Sequence, residues 1–219
     1  MEKYDNYFQE HYWYSFSEED LISYKKWFTA QWNEIRKKIP EKNNIIILEI
    51  WSGIWWAYQF IKSEIKNFNY TGLELDKSAV DFSNNYFQIN SFQNVSFEEF
   101  ESEKEAYDLI LAFEVLEHIE NPSKTAKKIH SLLKEDGIFI GTSPFPFRKN
   151  ILWDKTHLSV LHPENWKRIF EYNGFSFCKT YPMSFIPFLW RIHTSLNFII
   201  PIYISFKYFI STALIYAKK

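Results

Sequence analysis

Residues Ile45 to Phe60, IIILEIWSGIWWAYQF, constrain the fold most, because they read as a buried strand, a tight loop and the start of a helix. Ile45, Ile46, Ile47, Leu48 and Ile50 form a continuous apolar run, the pattern of a strand in a parallel sheet covered on both faces. The loop behind the strand is the anomaly. Glycine is expected where backbone must approach a neighbour closely, yet Gly53 stands alone there among Trp51, Trp55 and Trp56.

The rest of the chain repeats the strand-to-helix alternation. A helix near Trp56 to Phe68 is followed by strand Tyr70 to Leu75, a helix near Lys77 to Ile89 and a weak strand around Val95 to Phe97. Strand Tyr107 to Phe113 leads into a short helical segment through Ile119. Asn121 and Pro122 then cap a helix with Ala126, Ile129, Leu132 and Leu133 facing inward, stopped by Gly137. Strand Ile138 to Thr142 and a helix from Pro163 to Tyr172 follow. Such alternation predicts right-handed βαβ units, and hence an α/β, Rossmann-like, mostly parallel sheet with helices on both faces.

Residues 1–43 form an aromatic segment and a helix, a candidate lid, and residues 44–219 form the main domain. Ser17 and Asp20 resemble a capping box opening a helix toward Lys38, with Leu21, Tyr24, Trp27, Phe28 and Ile35 on an apolar stripe expected to pack on a sheet edge. At the other end, Phe175 to Tyr181 and Ser211 to Ala217 read as an antiparallel strand pair around an aromatic-rich insert, 182–210. The longest uncharged run of the insert, Thr194 to Phe206, has 13 residues and contains Pro201. That is short of the roughly 20 needed to cross a bilayer, so the insert is read as a core-capping subdomain or as a surface for a membrane or apolar substrate.

With 219 residues, 46% hydrophobic content and net charge -2, the chain suits one well-buried domain and shows no basic excess for nucleic acid. Its single Cys178 and the acidic, aromatic beginning, unlike a signal peptide, point to a cytoplasmic setting, with peripheral membrane contact through 182–210 as a further expectation. Five glycines stand against the roughly 15 that average usage predicts, beside nine tryptophans.

A nucleoside cofactor bound at such a loop needs an acid at the end of the second strand, about 20 residues on, to accept ribose hydrogen bonds. Glu74 lies 21 residues after Gly53. The segments IIILEIWSG, YTGLELDKSAVDFS, YDLILAFEVLEHIENPSKTAKKIHSLLKEDGIFIGTSP and HPENWKRIFEYNGF together resemble class I S-adenosylmethionine-dependent methyltransferases, over roughly Asn44 to Phe175. EVLEHI is the most specific part. The resemblance implies a seven-stranded sheet of order 3-2-1-4-5-7-6 with the last strand antiparallel, and S-adenosyl-L-methionine as cofactor. It implies that Glu49, Ile50, Trp51, Ser52 and Gly53 surround the methionine part, that Glu74 with Leu75 holds the ribose, and that Ala112 and Phe113 line the pocket. Glu99 and Phe100 are candidates for the adenine site. The acceptor implied is a small molecule, lipid-linked or of glycan type, with the insert shaping the choice.

The loop of that family commonly reads acidic-X-Gly-X-Gly-X-Gly, and the matching positions here are Glu49, Trp51, Gly53 and Trp55. An indole at 51 or 55 would project toward the cofactor, and overfilling such a site both strains and blocks it. Two explanations compete. One is a catalytically inactive binding or scaffold protein filled by its own aromatics. The other is a gene in which UGA encodes glycine, read here as tryptophan, which predicts UGA codons at 51, 55 and 56.

Methyl transfer depends mainly on alignment and exclusion of water, and a base is needed only where the acceptor loses a proton. His118 and His157 are the candidates, against the plainer reading of packed or capping histidines. Glu114, Glu117 and His118 fall at i, i+3 and i+4, and with His157 in DKTHLS they offer oxygen and nitrogen ligands to a metal, an arrangement similar to that of certain oxygen-methylating relatives.

Overall fold

The computed structural model describes residues 18–53, 56–146, 154–187, 189–206 and 209–219. The aromatic segment Tyr4 to Phe16, Ser17 and Trp55 lie outside them.

Helix α1 (Glu18–Ile35) precedes strand β1 (Ile45–Ile50), α2 (Trp56–Glu64), β2 (Phe68–Glu74), α3 (Lys77–Phe87) and β3 (Phe92–Asn94). Strand β4 (Tyr107–Ala112), a 3-10 turn (Leu116–His118), α4 (Pro122–Leu132), β5 (Leu133–Pro144) and α5 (Pro163–Tyr172) follow, and β6 (Phe177–Phe185) and β7 (Ile210–Lys218) end the chain. The seven strands form one sheet in the order β3-β2-β1-β4-β5-β7-β6. Only β7 runs antiparallel to its neighbours β5 and β6, so the other six strands all end at the same edge.

Each face buries its own core because inward residues alternate along the strands. Leu48, Ile50, Leu73, Ile110 and Phe139 pack under Ile129 and Leu132 of α4 and Trp166 and Phe170 of α5. Ile45, Ile47, Leu109, Leu111 and Ile140 pack on the opposite face under α1, α2 and α3. Phe28, Trp32 and Ile35 place α1 across this face rather than at the expected sheet edge. Four buried apolar positions within about one and a half turns, Trp27, Phe28, Ala30 and Trp32, make the helix apolar over more than one stripe, and a sheet edge cannot cover that much. Its Trp27 and Ala30 pack with Phe185 of edge strand β6, the Trp27 ring centroid lying 5.2 Å from that of Phe185.

Several boundaries differ from the sequence reading. Helix α2 stops at Glu64 because β2 begins at Phe68 to pair with Ile45. Strand β3 lies at Phe92–Asn94 instead of 95–97, since Phe92 pairs with Gly72, whereas Ser96 hydrogen-bonds the Glu99 N–H at 3.1 Å to make a turn. Strand β5 starts at Leu133, paired with Tyr107, before its register shifts to Leu109↔Ile138. The extra residues bulge out, with Asp136 at φ +61°, so Gly137 closes the bulge and α4 ends at Leu132. Strands β6 and β7 are longer than expected, reaching Phe185 and starting at Ile210. The insert shrinks accordingly to 186–209.

Candidate functional site

The carboxyl ends of β1, β2 and β4 bring together the segments singled out in the sequence, at the edge where open α/β sheets bind ligands. Glu49 and Glu74 face the same side of the sheet from adjacent strands. Glu74 is 1% exposed, and its carboxylate accepts the backbone N–H groups of Gly53 (2.8 Å), Leu75 (2.7 Å) and Asp76 (3.0 Å). It therefore ties the loop after β1 to the turn after β2. Burial pushes its carboxyl up, against the lowering effect of those three donors.

Glu49 accepts a hydrogen bond from the Tyr70 hydroxyl. Burial pushes its pKa up to about 8, the tyrosine opposes this and the Glu74 charge adds to it. Tyr70 was not singled out in the sequence. Gly72 is the trace it leaves, since a Cβ there would lie 2.9 Å from the Tyr70 hydroxyl and 2.8 Å from the Phe92 ring. Ile50 and Ala112 are buried in the core under α4 and α5, Leu75 is half-buried, and Phe113 packs edge-on against Phe28 of α1 at 5.8 Å.

The loop itself carries the clearest conflict between side chain and backbone. Ser52 anchors it by donating its N–H to Leu73 at 2.8 Å. Trp51 has φ +54° and Gly53 φ +55°, both in the left-handed region. Among the described residues the other non-glycine residues with positive φ are Asn44, Gln88, Glu105, Glu114 and Asp136, all polar, and left-handed backbone costs a β-carbon-bearing residue about 1–2 kcal/mol. Trp51 is the one aromatic of that set. Its indole packs against the α4 and α5 core and lies 5.6 Å from the His118 ring.

Beyond β4, Glu114 is also left-handed, at φ +52°, and its N–H donates to the Thr142 hydroxyl at 2.9 Å. Burial pushes its carboxyl up to about 7. Glu117 is 2% exposed, with Oε2 unpartnered among the described residues, and burial together with the Glu114 charge pushes it well above the carboxylate range. The His118 and His157 rings stand 4.8 Å apart. Burial and then His157 push His118 down to about 4.

Thr156, missed in the sequence, fixes the tautomer of His118. Its hydroxyl donates to Asp154 at 2.6 Å, so at 2.9 Å from His118 Nδ1 it acts as the acceptor of an Nδ1–H. The Nε2 lone pair is then left toward Glu117 Oε1, 4.0 Å away. Asp154 also lies 3.8 Å from His157 Nε2. The DKTH spacing, an acid three residues before a histidine, is the sequence signal for this network.

Glu117, His118 and His157 each offer a ligand atom, all within 4.8 Å of one another. A buried carboxyl oxygen without a partner among the described residues, beside two imidazole rings, fits a divalent cation of borderline softness. Glu114 is turned instead toward Thr142 and Thr212, at 3.5 Å from the Thr212 hydroxyl. Of the adenine-site candidates, Phe100 is core and Glu99 is exposed, its carboxylate accepting the Ser96 hydroxyl at 3.0 Å.

S-adenosylmethionine, the cofactor implied by the resemblance, fits the acidic frame of Glu49, Glu74 and Gly53, where a Cβ would meet nothing within 4 Å. The left-handed backbone at 51 suits a glycine rather than the tryptophan that stands there.

The chain is similar in fold to a SAM-dependent methyltransferase from Archaeoglobus fulgidus (TM-score 0.70, 20% identity, 98% of this chain and all of that one). A possible histamine N-methyltransferase from Thermotoga maritima aligns over 98% of this chain and 97% of its own length at 14% identity and TM-score 0.69. Phosphoethanolamine N-methyltransferase 2 from Haemonchus contortus, in complex with S-adenosyl-L-methionine, aligns at TM-score 0.69 and 14% identity over 98% of this chain and 59% of that one. No curated protein matches the sequence significantly. A family model described as a methyltransferase domain matches residues 24–179. With this sheet order and site edge, the chain belongs to the methyltransferase-domain family and has the class I fold whose cofactor is S-adenosylmethionine.

Proposed function

We propose that the chain transfers the methyl group of S-adenosylmethionine to a small-molecule, lipid-linked or glycan-type acceptor, and that positions 51, 55 and 56 are glycine in its working form. The observation that carries this reading is the left-handed backbone at Trp51, a conformation suited to glycine at the position where the family pattern has one. When bound, the cofactor supplies an electrophilic methyl group. The residues of the chain hold and surround it: Glu49, Ile50, Ser52 and Gly53 at the methionine end, Glu74 and Leu75 at the ribose, Ala112 and Phe113 along the wall. The bare Nε2 of His118, with His157 beside it, is placed to take a proton from an acceptor hydroxyl or amine.

A second reading, a catalytically inactive binding or scaffold protein, is favoured by the same indole. Packed on the core and against His118, it leaves the loop filled.

Labelled methyl transfer into lipid, glycan and small-molecule extracts separates the two. The account expects label with Trp51→Gly, Trp55→Gly and Trp56→Gly combined and none with the chain as written. No label with either sequence supports the scaffold. UGG codons at 51 and 55 rule out the glycine reading of the gene.

A further inference from the structure

The register of the last two strands fixes where the insert lies. Phe185 pairs with Ile210 and Pro144 with Thr212, so residues 186–209 leave and re-enter the sheet at the edge that carries Trp51, Glu74 and His118. The insert stays close to that edge: Ile200 bridges to Ser184, and Tyr203 stacks on Phe145 at 4.2 Å. None of its described side chains is fully buried. Of the nine large apolar side chains that stand exposed among the described residues, Ile192, Phe198, Ile202 and Phe206 lie in the insert. A fifth, Leu158, lies beside His157 at the same edge, and Ile192 is 77% exposed.

The charge pattern selects the occupant. The chain carries 27 acidic residues, none of which follows Glu171, while the insert contains Arg191, His193 and Lys207. Arg191, His193 and, near Leu158, Lys155 are exposed. Exposed apolar side chains in an insert without acids, beside Arg191 and Lys155, match the interface of an anionic bilayer, and a second copy of the chain is the alternative that the test separates. No helix among the described residues is long and apolar enough to cross a membrane, so contact of this kind is peripheral.

We infer that the 186–209 insert, with Leu158 and Lys155, docks on an anionic lipid surface and turns the site edge of the sheet toward it. An acceptor held in that surface then reaches the site without leaving the lipid. The docking itself does not depend on methyl transfer, and it stands or falls separately from the reading above.

Flotation of the full chain with vesicles tests it. Phosphatidylcholine vesicles containing phosphatidylglycerol are expected to carry about tenfold more protein than vesicles of phosphatidylcholine alone, and molar salt is expected to reverse this. Ile192→Asp with Ile202→Asp is expected to lower the bound fraction about tenfold at an unchanged melting temperature. Arg191→Glu, which removes no apolar group, guards against misfolding of the double variant and is expected to lower binding several-fold. Tyr86→Ser on α3 is expected to change nothing. Equal flotation with both vesicle types, or unchanged binding by the double and Arg191 variants, overturns the proposal. So does a dimer that the double variant abolishes in the absence of vesicle binding, which would assign the face to a second copy.

Discussion

Asp108 at the amino end of β4 and Glu117 beyond its carboxyl end are nine residues apart, nearly equally buried, and surrounded differently. Asp108 accepts hydrogen bonds from Lys42 (2.6 Å), the Ile46 N–H (2.8 Å) and Lys134 (3.1 Å). Burial pushes its carboxyl up, but these donors outweigh it and hold the group below the usual range. Among the described residues Glu117 has an Oε2 without a partner, and His118 Nε2 stands 4.0 Å from its Oε1. Its neighbours at the same edge, Glu49, Glu74 and Glu114, are likewise pushed up by burial. One end of the sheet uses a buried acid paired with lysines to close the structure, and the other gathers buried acids that no lysine or arginine pairs with among the described residues. That asymmetry marks a site.

The largest effect expected from the comparison is on pH dependence. A buried acid with a raised folded pKa contributes stability that is present below its ordinary value and lost as pH rises through the folded one, near 7 for Glu114 and 8 for Glu49. His118 has the opposite sign, its contribution lost as pH falls from 6.5 toward 4. Between pH 6.5 and 8 only the acids act. Urea unfolding should then show stability falling with rising pH, by up to about 1.4 kcal/mol per unit for each raised group. Glu49→Gln should flatten the slope, and a flat or rising profile in the parent chain would break the comparison.

Next in size is the closing acid. Asp108→Ala leaves the Ile46 N–H without its acceptor and two lysines without a partner, and should cost about 2–3 kcal/mol in urea unfolding at pH 7. Glu117→Gln should cost nothing or stabilise, because burial and the Glu114 charge disfavour a charged Glu117. Equal losses in the two variants would erase the distinction.

The smallest effect is a gain. Millimolar Mn²⁺ or Zn²⁺ should raise the melting temperature by a few degrees, equivalent to about 1–3 kcal/mol. The gain should weaken at low pH, where protons compete with the ion for the carboxylate and imidazole ligand atoms, and it should vanish in His157→Ala. A shift that survives His157→Ala would place the ion elsewhere.

The strand-to-helix alternation was legible because it follows from periodicity, and Glu74 because of its spacing from Gly53, whereas the sheet order and Glu49 were expected only from the resemblance to class I methyltransferases. The bulge at Asp136 was not legible, since the chemistry of a bulge resembles that of a helix stop and Gly137 suits both. Tyr70 escaped because its partner is on the next strand, where Gly72 makes room for it. Thr156 and Asp154 escaped because a hydrogen-bond chain to His118 crosses 38 residues. At Trp51 the sequence showed the anomaly, and the backbone angle supplied the physical reason for it.

Calorimetric titration of S-adenosylmethionine and its demethylated product into the chain as written, and into the version with Trp51→Gly, Trp55→Gly and Trp56→Gly, tests the central claim most directly. The account predicts binding by the glycine version and none by the tryptophan version. Equal binding by both would show that the indoles never obstruct the loop, and binding by neither would contradict the assignment of a cofactor site to this edge.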